Sequence, residues 1–130
     1  IQTPGHADDH VTFVVAGLCF SGDLLFRDAV GGGDAATIRE SVFRLMDLPH
    51  ETRVLPGHTD ETTIGREWEE NPFLRVWRGV EPELGEACRV GGEDATIVVW
   101  SPDYDGKGKA LVRFADGRES IVGGSRVERG

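Results

Sequence analysis

Three side chains in this 130-residue sequence have the types and settings that metal chemistry needs: His6, Asp23 and His58. His6 closes the string Thr3-Pro4-Gly5-His6, His58 closes Pro56-Gly57-His58, and Asp23 follows an apolar run ending in Ser21-Gly22. A glycine before each histidine lets the chain turn sharply, and a strand end sets where a carboxylate points. The three therefore suit a site gathered at one rim of a sheet. Two imidazoles and a carboxylate are donors for zinc, iron or manganese. The spacings, 17 positions from His6 to Asp23 and 35 from Asp23 to His58, match no short local metal motif. On residue types alone the pattern is also that of two turn histidines and a capping aspartate.

The elements that must position these residues can be read from periodicity. "VTFVVAGLCFSGD" holds two short apolar runs around Ala16-Gly17, a hairpin whose second strand ends at Ser21-Gly22-Asp23. Gly31-Gly32-Gly33 reads as a loop and Asp34 as an N-cap. Ile38, Val42, Leu45 and Met46 recur at helical spacing from Ala35 to Leu48, and Pro49 ends that helix. "TRVLPGH" is a short buried strand, and the stretch after it is a second helix with threonine caps and a break at Asn71-Pro72. Residues 81–94 are rich in Gly, Pro and carboxylates and read as a linker. In residues 95–130 four runs, "TIVVW", "ALVRF", "ESIV" and "SRVE", are separated by Asp105-Gly106, Asp116-Gly117 and Gly123-Gly124, the pattern of a small antiparallel β barrel or meander. The expected fold class is thus α+β, with a main domain over residues 1–80 and a β-rich extension.

Composition narrows the function. The net charge is −9; residues 1–88 contain seven Arg, no Lys and sixteen Asp or Glu, while residues 89–130 balance seven against seven. Nucleic-acid affinity comes chiefly from clustered Lys and Arg, so a nucleic-acid partner is not expected. No apolar run is long enough to span a membrane, and no membrane partner is expected. Cys19 and Cys88 lack a CxxC partner and read as inert packing thiols in a reducing, cytoplasmic setting.

"TPGHADDHVTFV", "CFSGDLLF" and "TRVLPGHTDETTIGREWEENPFL" resemble, in that order, the later motifs of the metallo-β-lactamase superfamily, most closely its hydroxyacylglutathione hydrolase, or glyoxalase II-like, branch. The resemblance runs over about residues 2–79. It implies the C-terminal half of an αββα fold in which His6 binds a first metal, His58 binds a second, and Asp23 bridges both as the catalytic carboxylate. The implied cofactors are two divalent metals, zinc first, with iron or manganese as alternatives. A bridging carboxylate holds two cations about 3.5–4 Å apart, and the pair generates a metal-bound hydroxide to attack an ester or thioester of a small molecule. The family's His-x-His-x-Asp-His string is absent, so the resemblance also implies a hydrolase fragment that is inactive by itself.

Other residues carry weaker expectations. His10 is a candidate near the metals or a surface histidine. Thr59 is a hydrogen-bonding residue near the metal or, by preference, a helix cap. Arg66 and Arg75 are holders of an acidic substrate or members of a solvated ion-paired face. The absence of Lys and Tyr from residues 1–88 argues against glutathione thioesters. His50 is expected to be exposed, and Trp68, Phe73 and Trp77 to be core. Trp100, Tyr104 and Phe114 are either barrel core or a peptide groove. The second reading is a non-catalytic interaction or dimerisation module built on the C-terminal β barrel. A half-sandwich would leave apolar sheet uncovered, which predicts self-association.

Overall fold

The computed structural model describes residues 1–5, 7, 11–102 and 106–129. Strands β1 (Phe13–Val15) and β2 (Leu18–Gly22) form the expected hairpin, with Phe13 opposite Phe20 and Val15 opposite Leu18. Its two-residue turn takes Ala16 and Gly17 to φ of 50° and 79°, the left-handed pair that matches strand twist. A small hairpin of β3 (Leu25–Phe26) and β4 (Ala29–Val30) comes next, then β5 (Gly33–Asp34) and helix α1 (Ala35–Leu45). Strand β6 (Arg53–Pro56) then returns parallel to β2, and β7 (Thr62–Thr63) pairs antiparallel with β6, giving the sheet order β1-β2-β6-β7. Helices α2 (Ile64–Glu70) and α3 (Pro72–Trp77) meet at Asn71, which ends one and caps the other through its bond from Phe73 N–H.

Helix α1 begins as expected: Asp34 accepts from the Thr37 N–H at 3.0 Å and its hydroxyl at 2.7 Å, which holds the Asp34 carboxyl below its usual range. It ends earlier than the periodicity suggests. The Met46 N–H is shared between the carbonyls of Val42 and Phe43, and Leu48 N–H bonds to Leu45, so single turns rather than helix lead to Pro49.

The C-terminal region departs further from expectation. Glu86–Val90, inside the segment read as a linker, is strand β8, with Cys88 and Val90 buried at alternate positions among outward-facing charged residues. The charges masked an amphipathic strand. Strands β9 (Glu93–Ser101), β10 (Lys109–Phe114) and β11 (Glu119–Gly123) continue an antiparallel meander. Gly123-Gly124 is not a hairpin turn: a 3-10 turn over Gly124–Arg126 carries β12 (Val127–Arg129) across to pair with β8. Beyond β11 lies β5, so the stretch read as a glycine loop supplies an edge strand, and the six-stranded order is β12-β8-β9-β10-β11-β5. Gly33 sits there at φ 142° against the Gly5 carbonyl, where a side chain would collide.

Alternation, interrupted by a bulge at Val98 where Leu111 faces Val99 and Val112 faces Ile97, divides this sheet between two cores. Val98, Val99, Leu111 and Ile121 join the main core of Ile38, Val42, Leu45, Val54, Ile64, Phe73 and Leu74. Ile97, Ala110, Val112 and Val122 face the other way, onto Cys88, Val90, Trp100 and Phe114. Both cysteines are free and buried, in different cores. No helix of the described residues is long and apolar enough to cross a membrane.

Because Leu111 lies in the core shared with α1 and α3, Leu111→Ala should destabilise the whole chain by about 2–5 kcal/mol. Tryptophan fluorescence and far-UV circular dichroism should shift together in a single urea transition, whereas two separated transitions would make the C-terminal sheet an independent unit. Burial pushes the Cys19 thiol from 9.0 up to about 11. An acid whose folded pKa lies above its unfolded value stabilises the fold at low pH, so the Cys19 contribution should be intact below pH 9.0 and fade as pH rises toward 11. Mass spectrometry should find Cys19 unalkylated by iodoacetamide at about pH 8 under native conditions and alkylated in urea.

Candidate metal centre

Parallel pairing sets the site. The C-terminal ends of β2 and β6 lie side by side, with Gly22 in register with Pro56 and the Gly57 N–H bonded to the Gly22 carbonyl at 2.9 Å. Asp23 and His58, just beyond these ends, therefore leave the sheet at the same rim, the usual place for ligands in parallel sheets. His58 Nε2 stands 2.9 Å from Asp23 Oδ1, and the two side chains are 46% and 42% exposed. Gly57 makes this approach possible: a Cβ there would lie 3.2 Å from the Gly22 carbonyl oxygen and 3.3 Å from Asp23 Oδ1. The Phe26 ring flanks the imidazole at 6.0 Å between centroids.

These donors suit a divalent cation: a carboxylate with two oxygens beside an imidazole nitrogen, open to solvent and converging from adjacent strand ends. Two of the three ligand candidates are thus brought together. His6 and His10 lie outside the described residues, and among the described residues no three His, Cys, Asp or Glu side chains cluster to hold a metal.

The remaining candidates have other employment. Thr59 does not cap a helix; its Oγ1 accepts from the Arg27 N–H at 3.1 Å, and the cap of α2 is Thr63, which accepts from Arg66 N–H. Arg27 also reaches the Glu61 carbonyl at 3.3 Å, and Glu61 in turn forks onto Arg53 at 2.6 and 2.8 Å, which holds the Glu61 carboxyl below its usual range. Arg66 points away from any substrate role: one terminal nitrogen meets Glu67 at 2.6 Å and the other meets Asp28 at 3.0 Å. Arg75 pairs with Glu81, as a solvated helix arginine would. Trp68 and Trp77 pack edge-on and tilted against Phe43, at the margin of the core.

Sequence reasoning missed Glu67. It is fully buried, yet its carboxylate accepts from the Asp28 N–H (2.9 Å), the Thr62 hydroxyl (2.6 Å), the Arg66 guanidinium (2.6 Å) and the Asn71 amide (2.9 Å). The available signal was helical phase. Glu67 falls between Ile64 and Trp68 on the inward face of α2, where an ionised residue survives only inside a network of donors.

No protein-family model matches this chain. It is 41% identical over 80 residues to the probable metallo-hydrolase YqgX of Bacillus subtilis, covering 55% of this chain and 38% of that protein. It is 34% identical over 82 residues to the hydroxyacylglutathione hydrolase GloC of Haemophilus influenzae, covering 57% and 39%. Among solved structures, TTHA1623 in a di-iron-bound form superposes with a TM-score of 0.55 at 47% identity, over 57% of this chain and 41% of that one. The B3 metallo-β-lactamase BLEG-1 gives a TM-score of 0.55 at 38% identity, over 57% and 39%. The chain spans about two-fifths of the length of the curated relatives it matches. Over the matched part, in which Asp23 and His58 converge at the sheet rim, this chain is similar to metallo-hydrolases and to proteins of the metallo-β-lactamase fold, a hydroxyacylglutathione hydrolase among them.

Proposed function

We propose that this chain carries one side of a dinuclear metal site that hydrolyses an ester or thioester of a small molecule. The observation that carries the reading is the 2.9 Å approach of His58 Nε2 to Asp23 Oδ1 at the open ends of two parallel strands. The di-iron form of TTHA1623 supports two metals and makes iron a candidate beside zinc and manganese. Bound there, the metals would supply Lewis acidity toward a carbonyl oxygen and an activated water. The chain's own residues do the holding. Asp23 would hold metal through its carboxylate and His58 through an imidazole nitrogen, with the Phe26 ring flanking that imidazole. His6, which lies outside the described residues, is the proposed third ligand. Because the His-x-His-x-Asp-His ligands are not in this sequence, hydrolysis by the chain alone is expected to stay at background.

Zinc, iron(II) and manganese(II) titrations with subsequent chelator competition test this directly. Asp23→Asn and His58→Asn should each weaken binding by about tenfold or more while leaving the fold intact by circular dichroism. Unchanged affinity in both variants would remove the metal reading.

A second reading, self-association, is favoured by one specific surface. Phe13, Val15 and Phe20 are 65%, 61% and 43% exposed on the edge hairpin of the first sheet. The C-terminal sheet, the expected docking element, offers no comparable face: no large apolar side chain of described residues 86–129 is exposed. Trp100 lies under the Arg129 guanidinium and against Gly108 and Gly124, Phe114 lies under Arg118, and Tyr104 is outside the described residues. Sedimentation should therefore show concentration-dependent dimers or larger species, reversed by Phe13→Glu. A clean monomer at high concentration would count against this reading.

A further inference from the structure

The Asp23 and His58 side chains hang from two separate loops, and a ladder of contacts ties those loops together. Its first rung is the Gly57 N–H to Gly22 carbonyl bond at 2.9 Å. The second is the Asp23–His58 contact itself, and the third is the Arg27 N–H to Thr59 Oγ1 bond at 3.1 Å. The last rung is the Glu67 carboxylate, which takes the Asp28 N–H on the Asp23 side and the Thr62 hydroxyl on the His58 side. Asp28 adopts φ 66°, a left-handed conformation uncommon for a residue other than glycine, and in it presents both its N–H to Glu67 and its carboxylate to Arg66.

We propose that Glu67, acting with Thr59, is a positioning residue that sets the separation of Asp23 and His58. The inference rests on the metal-site reading above. Packing alone gives no reason for the choice of a carboxylate. A fully buried charge needs several donors merely to break even with an apolar residue, so its advantage is direction rather than stability. Here the directions are specific: of its four donors, one comes from the β3–β4 turn that follows Asp23, one from β7 that follows His58, and two from α2 and its C-cap. Catalytic and metal-binding side chains need supports of this kind, because small displacements of a ligand sharply reduce affinity.

The test compares the wild-type chain with Glu67→Gln, Thr59→Val and Thr59→Ser, using zinc alone as the probe. Urea unfolding establishes that each variant is folded under assay conditions. Zinc affinity is then measured by chelator competition, and the His58 imidazole is monitored by long-range nitrogen–proton NMR without metal. Glu67→Gln and Thr59→Val should each lower zinc affinity by about tenfold and give the His58 ring a mixture of tautomers in place of one. Thr59→Ser, which keeps the hydroxyl, should restore both readouts to near the wild-type values. Folded variants with wild-type zinc affinity and an unchanged His58 signal would overturn the proposal while leaving the metal reading intact. Should the wild type itself fail to bind zinc, the metal reading falls, and the His58 signal alone decides the positioning role. If Glu67→Gln does not fold, the Thr59 pair decides it.

Discussion

The parallel pairing of β2 with β6 is the constraint that creates the site. Antiparallel neighbours would send residues 23 and 58 to opposite rims; parallel ones bring Gly22 and Pro56 into register and deliver Asp23 and His58 to the same rim. A parallel pair cannot be closed by a tight turn, so the chain between them must cross over, and α1 with the β3–β4 hairpin is that crossover. The periodic face of Ile38, Val42 and Leu45 buries α1 in the main core and so holds the two strands at fixed height.

A buried carboxylate then joins the crossover to the segment after β6. Glu67 reaches the Asp28 turn, Thr62 and Asn71 at once, and Asn71 also donates to the Ala29 carbonyl. The β3–β4 turn and strand β7, which follow the segments bearing Asp23 and His58, are thereby tied to α2. Arg66 completes the network by pairing with both Glu67 and Asp28, which explains why an arginine three positions into α2 is turned inward instead of toward solvent.

The C-terminal sheet is part of the same body. Its strand β11 takes β5 as an edge neighbour, and Val98, Val99, Leu111 and Ile121 lie in the same core as α1 and α3. Arg113, gripped by Glu83 and Glu119, fastens the connecting segment to the sheet, and these carboxylates raise its already high pKa. The aromatic rings of the sheet serve this packing: Trp100 is clamped between glycine backbones and the Arg129 guanidinium.

The first hairpin, the Asp34-capped helix, the strand before Pro56-Gly57-His58 and the break at Asn71-Pro72 were legible in the residues alone, because turn chemistry, capping and periodicity act within a few residues of chain. Its motifs also singled out Asp23 and His58, which the fold brings within 2.9 Å of each other, and carried a likeness to metallo-hydrolases, since those strings have their own signature. Strand β8 was hidden because charges on its outward face outweighed two inward apolar residues. Long-range pairing alone makes Gly33 and Asp34 an edge strand, returns β12 to β8, and gathers Asp28, Thr62, Arg66 and Asn71 around the buried Glu67 carboxylate. Each of these depends on a partner dozens of positions away, and a hydrogen bond's worth is set by who answers it across the fold, which no local pattern encodes.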